Sequence, residues 1–116
     1  MPKAFKSVAV AAARAMEDRK AEKILLLDVR KTSPLSDYII IATALSRPHL
    51  EALEDKVAHD LEKIGMRVHH RNRPQSDLWR VLDYGGLIIH LMVEDTRKLY
   101  ALERLHEGAN ELAWRS

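Results

Sequence analysis

The stretch from Ser76 to Val93 limits the possible folds more than any other. It contains two apolar segments, Leu78 to Tyr84 and Leu87 to Val93, joined by Gly85-Gly86. Paired glycines suit a primed hairpin turn, because glycine takes positive φ without steric cost. With these residues as the loop, Tyr84 faces Leu87, Asp83 faces Ile88, Leu82 faces Ile89, Val81 faces His90 and Trp79 faces Met92. Side chains alternate across a strand, so both faces of the hairpin can be read off. One carries Leu78, Leu82, Tyr84, Leu87, Ile89, Leu91 and Val93, with Arg80 its only charge. The other carries Trp79, Val81, Asp83, Ile88, His90 and Met92. The first face reads as core. The second places Asp83 and His90 on a cross-strand diagonal within side-chain reach.

A chain of 116 residues is one domain by length, residues 1–116, and can build a core without staples. Its 47% hydrophobic and 31% charged residues set disordered and fibrous classes aside. Cysteine is absent, which excludes disulfides, thiolate metal sites and thiol chemistry, and fits a reducing compartment. A net charge of +2 does not announce a nucleic-acid binder. No apolar run approaches the roughly 20 residues that span a bilayer. Residues 1–20 are basic around an alanine-rich middle, but Glu17, Asp18 and Glu22 argue against a transit peptide and for an ordinary first helix. The expected location is the cytoplasm.

In chain order, residues 4–20 place Val8, Ala11, Ala12, Ala15 and Met16 on one helical face. Lys23 to Val29 and Asp37 to Ala44 are continuous apolar runs, as in strands covered on both faces, with a loop at residues 30–36. Ser46 can cap the next helix, with Pro48 in its first turn. Leu50, Leu53, Val57, Leu61 and Ile64 recur at helical spacing before Gly65 ends it. A short strand is expected at residues 67–70, a basic loop at 71–76, then the hairpin. Asp95 or Thr96 can cap a last helix lined by Leu99, Leu102, Leu105, Ala109 and Leu112. The predicted fold is α/β in the α+β sense, order α-β-β-α-β-β-β-α, a mixed β-sheet covered by helices.

Chemistry finds little foothold. His69 and His70 are adjacent and point to opposite strand faces, while His49 and His59 are out of phase on a helix. Neither arrangement supports a metal site. Asp28, Asp37 and Asp83 stand at strand ends where a two-metal phosphoryl transferase would need carboxylates, but the Asp-x-Asp pair and glycine-serine phosphate turn are absent. Ser33, Ser36, Ser46 and Ser76 sit at loops or caps, where serine is common for structural reasons. Asp83 with His90 reads as an acid-base pair or as two groups orienting each other, the second being favoured. Trp79 reads equally as a core aromatic under a helix or, beside Met92, as a surface binding anchor. Arg67, His69, His70, Arg71 and Arg73 form a basic run without interleaved aromatics, a solvated loop or an RNA-phosphate contact. A binding protein is favoured over an enzyme, with no cofactor expected.

Ile24 to Val29, Ser36 to Thr43, Ser46-Arg47-Pro48-His49, Trp79 to Gly85, and His90 followed by Arg97 to Glu103 together resemble the ribosomal silencing factor, or Iojap-related, family. Matched segments run from about residue 5 to 106, and their order and spacing make the match specific. It implies a fold similar to that of nucleotidyltransferases without their activity, so not an enzyme. It also implies a chain that binds the large ribosomal subunit through protein L-fourteen, blocks subunit joining and represses translation under nutrient limitation. Homodimers are common in the family. A metal-dependent nucleotidyltransferase-like enzyme using Asp28, Asp37 or Asp83 is the alternative.

By that resemblance, Trp79, Asp83, Tyr84, Gly85, His90 and Arg97 are the expected partner-binding residues, with Tyr100 and Glu103 fixing the last helix. Trp79→Ala would then weaken ribosome binding and leave the fold intact. The chain departs from the family at Gly86, where Asp is usual, and at His106, where Trp is common. The basic Arg71-Asn72-Arg73-Pro74 replaces a Glu-Gly-like step, which leaves a contact of the Arg71–Arg73 loop with ribosomal RNA open.

Overall fold

The computed structural model describes residues 5–74 and 76–115. The first residue of the expected helix and one residue of the basic loop lie outside this set. The elements are α1 (Phe5–Asp18), β1 (Glu22–Asp28), β2 (Tyr38–Ala44), α2 (Arg47–Lys63), β3 (His70–Asn72), β4 (Trp79–Asp83), β5 (Leu87–Val93), α3 (Glu94–Tyr100), α4 (Leu102–Leu105) and β6 (Asn110–Glu111). The strands form one mixed sheet in the order β3-β4-β5-β2-β1-β6. β2 runs parallel to β5 and antiparallel to β1. Every residue of β2 is buried, as its uninterrupted apolar run predicts for a strand covered on both faces.

The hairpin has the register expected from the two glycines, with Trp79 opposite Met92, Val81 opposite His90 and Asp83 opposite Ile88. Gly85 takes φ +86 while Gly86 does not enter the left-handed region, a pattern that fits a II′ rather than a I′ turn. A Cβ on Gly86 would sit 2.5 Å from the Phe5 ring. The Gly86 carbonyl accepts the N–H groups of Asp37 and Tyr38 at 3.0 and 2.9 Å. A glycine here therefore lets α1 close over the hairpin turn while the turn anchors β2.

On one face, α1 and α2 cover Leu26, Ile40, Ala42, Leu82, Tyr84, Leu87, Ile89 and Leu91. Small residues of α1, including Ala9, Ala12 and Ala13, are fully buried and bring its backbone close to the sheet. The Ser46 hydroxyl accepts the His49 N–H at 3.1 Å, the expected N-cap. The helix ends as a Schellman motif: Met66 N–H donates to Leu61 C=O, Gly65 N–H donates to Glu62 C=O, and Gly65 takes φ +87.

Three sequence expectations are corrected. The short strand lies at residues 70–72 rather than 67–70, so Arg71 and Asn72 belong to an edge strand paired with β4. The last helix is not continuous to Leu112. It breaks at Ala101, which takes φ +44, and the chain returns to pair with the open edge of β1, Leu27 opposite Glu111 and Asp28 opposite Asn110. That pairing, with Leu112 N–H donating to Leu26 C=O at 2.8 Å, outweighs the roughly 1–2 kcal/mol cost of a non-glycine residue in the left-handed region. Nor do Asp95 and Thr96 cap α3. Val93 occupies the N-cap without a side-chain bond, and Glu94 and Asp95 lie in the first turn, where acids complement the helix dipole.

Candidate partner-binding site

The second sheet face presents Leu27, Val29, Ile39, Ile41, Trp79 and Met92 as a separate buried cluster, with Val81 and Ile88 partly buried beside it. Two short helices cover it. Tyr100, at the end of α3, stacks on Trp79 with ring centroids 4.8 Å apart. The indole N–H donates to His90 Nδ1 at 3.1 Å, so the neutral imidazole carries its N–H on Nε2. Burial, with a smaller contribution from His106, lowers the His90 pKa to about 4. The imidazole is therefore neutral near pH 7. On the covering helices three large apolar side chains reach solvent among charged neighbours: Leu99 is 73% exposed, Leu105 74% and Tyr100 37%.

Arg97 fixes α3 to the sheet. Its Nη1 donates to the Lys23 carbonyl at 2.6 Å and to Thr43 Oγ1 at 2.9 Å, and its Nε lies 3.6 Å from Glu103 Oε1. The Lys23 carbonyl is available because β1 is irregular between Glu22 and Leu25, where Lys23 takes φ +50. A residue with a side chain is costly in that conformation. A buried guanidinium with three oxygen partners supplies the compensating interaction.

The six residues assigned from the sequence are not all at the surface. Asp83, Gly85 and His90 are partly exposed. Trp79 is 8% exposed, Met92 and Tyr84 are fully buried, and Arg97 is buried. Of the two readings of Trp79, the structure supports the core aromatic under a helix and corrects the surface anchor beside Met92, because Tyr100 lies across the indole. Tyr84 faces the helix-covered core, where burial pushes its phenol up to about 12. Asp83 and His90 do not form the diagonal pair: Asp83 Oδ1 accepts the Gly85 N–H at 2.8 Å, while His90 holds the indole. Sequence reasoning missed the exposed pair Leu99 and Leu105, since Ala101 gives no breaker signal.

Asp83 does not converge with Asp28, although Asp37 lies near Asp28 across the β1–β2 pair. β1 and β4 are separated by β2 and β5, so Asp28 and Asp83 stand about 14 Å apart at normal strand spacing. Asp28 accepts from Arg30 at 3.0 and 2.7 Å, which holds its carboxyl below the usual range. Among the described residues no group of three His, Asp or Glu side chains is placed to hold a metal ion. The second face thus carries a neutral imidazole at His90 and, in Asp83, a carboxylate engaged in the hairpin turn.

The family model described as "Ribosomal silencing factor during starvation" matches residues 2–115. The chain belongs to the ribosomal silencing factor family. It is 30% identical over 100 residues to the ribosomal silencing factor RsfS of Bacillus subtilis, covering 86% of this chain and 85% of that protein. It is 33% identical to the chloroplastic protein Iojap of Arabidopsis thaliana, covering 90% of this chain and 43% of the longer plant protein. The fold agrees with an X-ray crystal structure of a Chromobacterium violaceum protein at TM-score 0.85 and 26% identity, covering 98% of this chain and 94% of that one. These relatives are named for silencing and for Iojap, not for an enzymatic reaction. Among the described residues no helix is long and apolar enough to cross a membrane.

Proposed function

We propose that this chain silences translation in the cytoplasm by seating the second sheet face on protein L-fourteen of the large ribosomal subunit, where it blocks joining of the small subunit. The observation that carries this reading is the coincidence of a family match along nearly the whole chain with exposed apolar side chains, Leu99, Tyr100 and Leu105, on the two helices that cover that face. Exposed apolar groups ringed by polar ones are the usual composition of a docking surface. In this reading Asp83, Gly85 and His90 make direct contacts, while Trp79, Tyr84 and Arg97 hold the surface in shape from beneath. Steric exclusion requires affinity and placement, not a reaction.

The test is sedimentation of the purified chain with separated ribosomal subunits, followed by a subunit-joining assay. Binding to the large subunit alone, with joining reduced in proportion to occupancy, is the expected result. Binding to neither subunit would remove the function and leave the fold as described. The homodimer implied by the family resemblance is read from the same preparation, by sedimentation of the chain alone across a concentration series.

A further inference from the structure

We propose that Arg47, Arg71 and Arg73 form a preorganised guanidinium platform at the β3 edge that binds the phosphate backbone of ribosomal RNA. The inference rests on the reading above that the chain docks on the large subunit. Its basis is a continuous ion-pair network whose acids lie mostly beneath its bases. Arg80, buried on the helix-covered face, donates to Glu54 at 3.3 Å and to Asp77 at 3.4 Å. Those two carboxylates then hold the outer arginines: Glu54 binds Arg71 at 2.8 Å, and Asp77 binds Arg73 at 2.8 Å and Arg47 at 3.2 Å.

The layering decides what such a network can do. The Glu54 side chain is 12% exposed and that of Asp77 36%, whereas Arg71, Arg73 and Arg47 are 46%, 58% and 60% exposed. Glu51, the third acid, is the exception at 63% exposed, and among the described residues it pairs only with Arg80, at 3.7 Å. At Glu54 and Asp77, solvent therefore meets the outer guanidinium before the carboxylate that holds it. Each outer arginine keeps donors without a partner among the described residues, and each is already held in one orientation by the carboxylate behind it. An arginine so fixed loses less rotamer freedom on binding and presents the planar fork that matches phosphate oxygens.

A shallow depression of about 520 Å³ lined by Glu54, Arg71, Asn72 and Arg73 lies on the same edge. The surroundings favour RNA backbone over an acidic protein. Among the described residues of the 70–77 segment no large apolar side chain is exposed, and the nearest in sequence to the platform is Leu45, two residues before Arg47, so that segment offers no apolar core for a protein interface. A competing use of these charges is protection of the edge strand β3 against pairing with another sheet.

The test measures affinity for isolated large ribosomal subunits across a salt series, for the wild-type chain and for Arg71→Gln/Arg73→Gln. Glu54 keeps Arg80 in that variant and Asp77 keeps Arg80 and Arg47, so folding is retained; thermal unfolding checks this, and Arg73→Gln alone serves if the double variant is unstable. The expected result is about tenfold weaker binding at low salt and a slope of log affinity against log salt shallower by about 1.4–1.8, the loss of two phosphate contacts. Photocrosslinks from residues 71–77 should fall on RNA. Wild-type and variant chains binding with the same affinity and slope would overturn the platform alone. Crosslinks only to protein, or self-association of the variant with affinity unchanged, would also overturn it. Failure of the wild-type chain to bind at all would overturn the docking reading and the platform with it.

Discussion

The helix-covered face of the sheet lies under α1 and α2, of 14 and 17 residues, while the opposite face lies under α3 and α4, of 7 and 4. Both faces bury large apolar side chains, but they hold them differently. The first depends on broad contact: alanines bring α1 down onto the sheet, and Leu50, Leu53, Val57 and Leu61 of α2 fill the rest. The second depends on a few directional bonds, Trp79 to His90 and Arg97 to Lys23 and Thr43. Dispersed packing tolerates single changes gradually. A cover held by a few polar contacts keeps a small area rigid and leaves apolar groups outside it for a partner.

The strongest way to break this comparison is to truncate one large side chain on each face. Trp79→Ala should cost about 3–5 kcal/mol, because it removes the indole from beneath Tyr100 and leaves His90 without its donor. Leu91→Ala on the helix-covered face should cost about 2–5 kcal/mol. Urea midpoints of the two variants measure both. A Trp79→Ala variant as stable as wild type would mean that the second face has no core of its own, and that the surface-anchor reading of the sequence was right. Trp79→Phe separates the parts: ring burial is kept, so about 1–2 kcal/mol should be lost with the hydrogen bond.

The same contrast explains what could be read from the sequence. The hairpin register followed from Gly85-Gly86 and strict alternation, because a one-residue slip would turn every core side chain outward. β2 and α2 were equally legible, one as an unbroken apolar run and the other from its cap, spacing and terminal glycine. The cover of the second face was not. Ala101 has no propensity for φ +44, and the backbone at Lys23 departs from regular strand geometry without a glycine to announce it. Both follow from tertiary bonds, to the β1 edge and to Arg97, that no local pattern encodes. The burial of Trp79 was not legible for a related reason: periodicity gave its face correctly but could not show that Tyr100, twenty-one residues later in the chain, would close over it.

Acid sharpens the comparison through a single group. His90 is neutral in the folded chain down to about pH 4, whereas in the unfolded chain it takes a proton near pH 6.5. Above pH 6.5 neither state is charged and His90 imposes no penalty. As pH falls from 6.5 toward 4 the unfolded chain binds a proton that the folded chain refuses, so stability is lost across that window. The loss should reach about 2–3 kcal/mol. His90→Gln keeps an acceptor near the indole but cannot titrate. The difference in urea midpoint between pH 7 and pH 4.5 should therefore be smaller in the variant than in wild type, and equal differences would show that the imidazole is not held neutral by its surroundings.

The smallest expected change in stability comes with the largest expected change in binding. Leu99 and Leu105 project from the cover into solvent, and replacing either with Ser should shift the unfolding midpoint by no more than about 0.5 kcal/mol. If the apolar rim seats on the large subunit, Leu99→Ser/Leu105→Ser should weaken cosedimentation about tenfold or more, the equivalent of about 1.4 kcal/mol of interface energy. Leu35→Ser is the matched control, since Leu35 is equally exposed, at 82%, but lies in the loop between β1 and β2. Equal binding by all three chains would assign the rim no part in docking. Loss confined to the rim variant would locate the function on the face that the fold leaves least covered, because side chains that contribute almost nothing to folding would then contribute measurably to the complex.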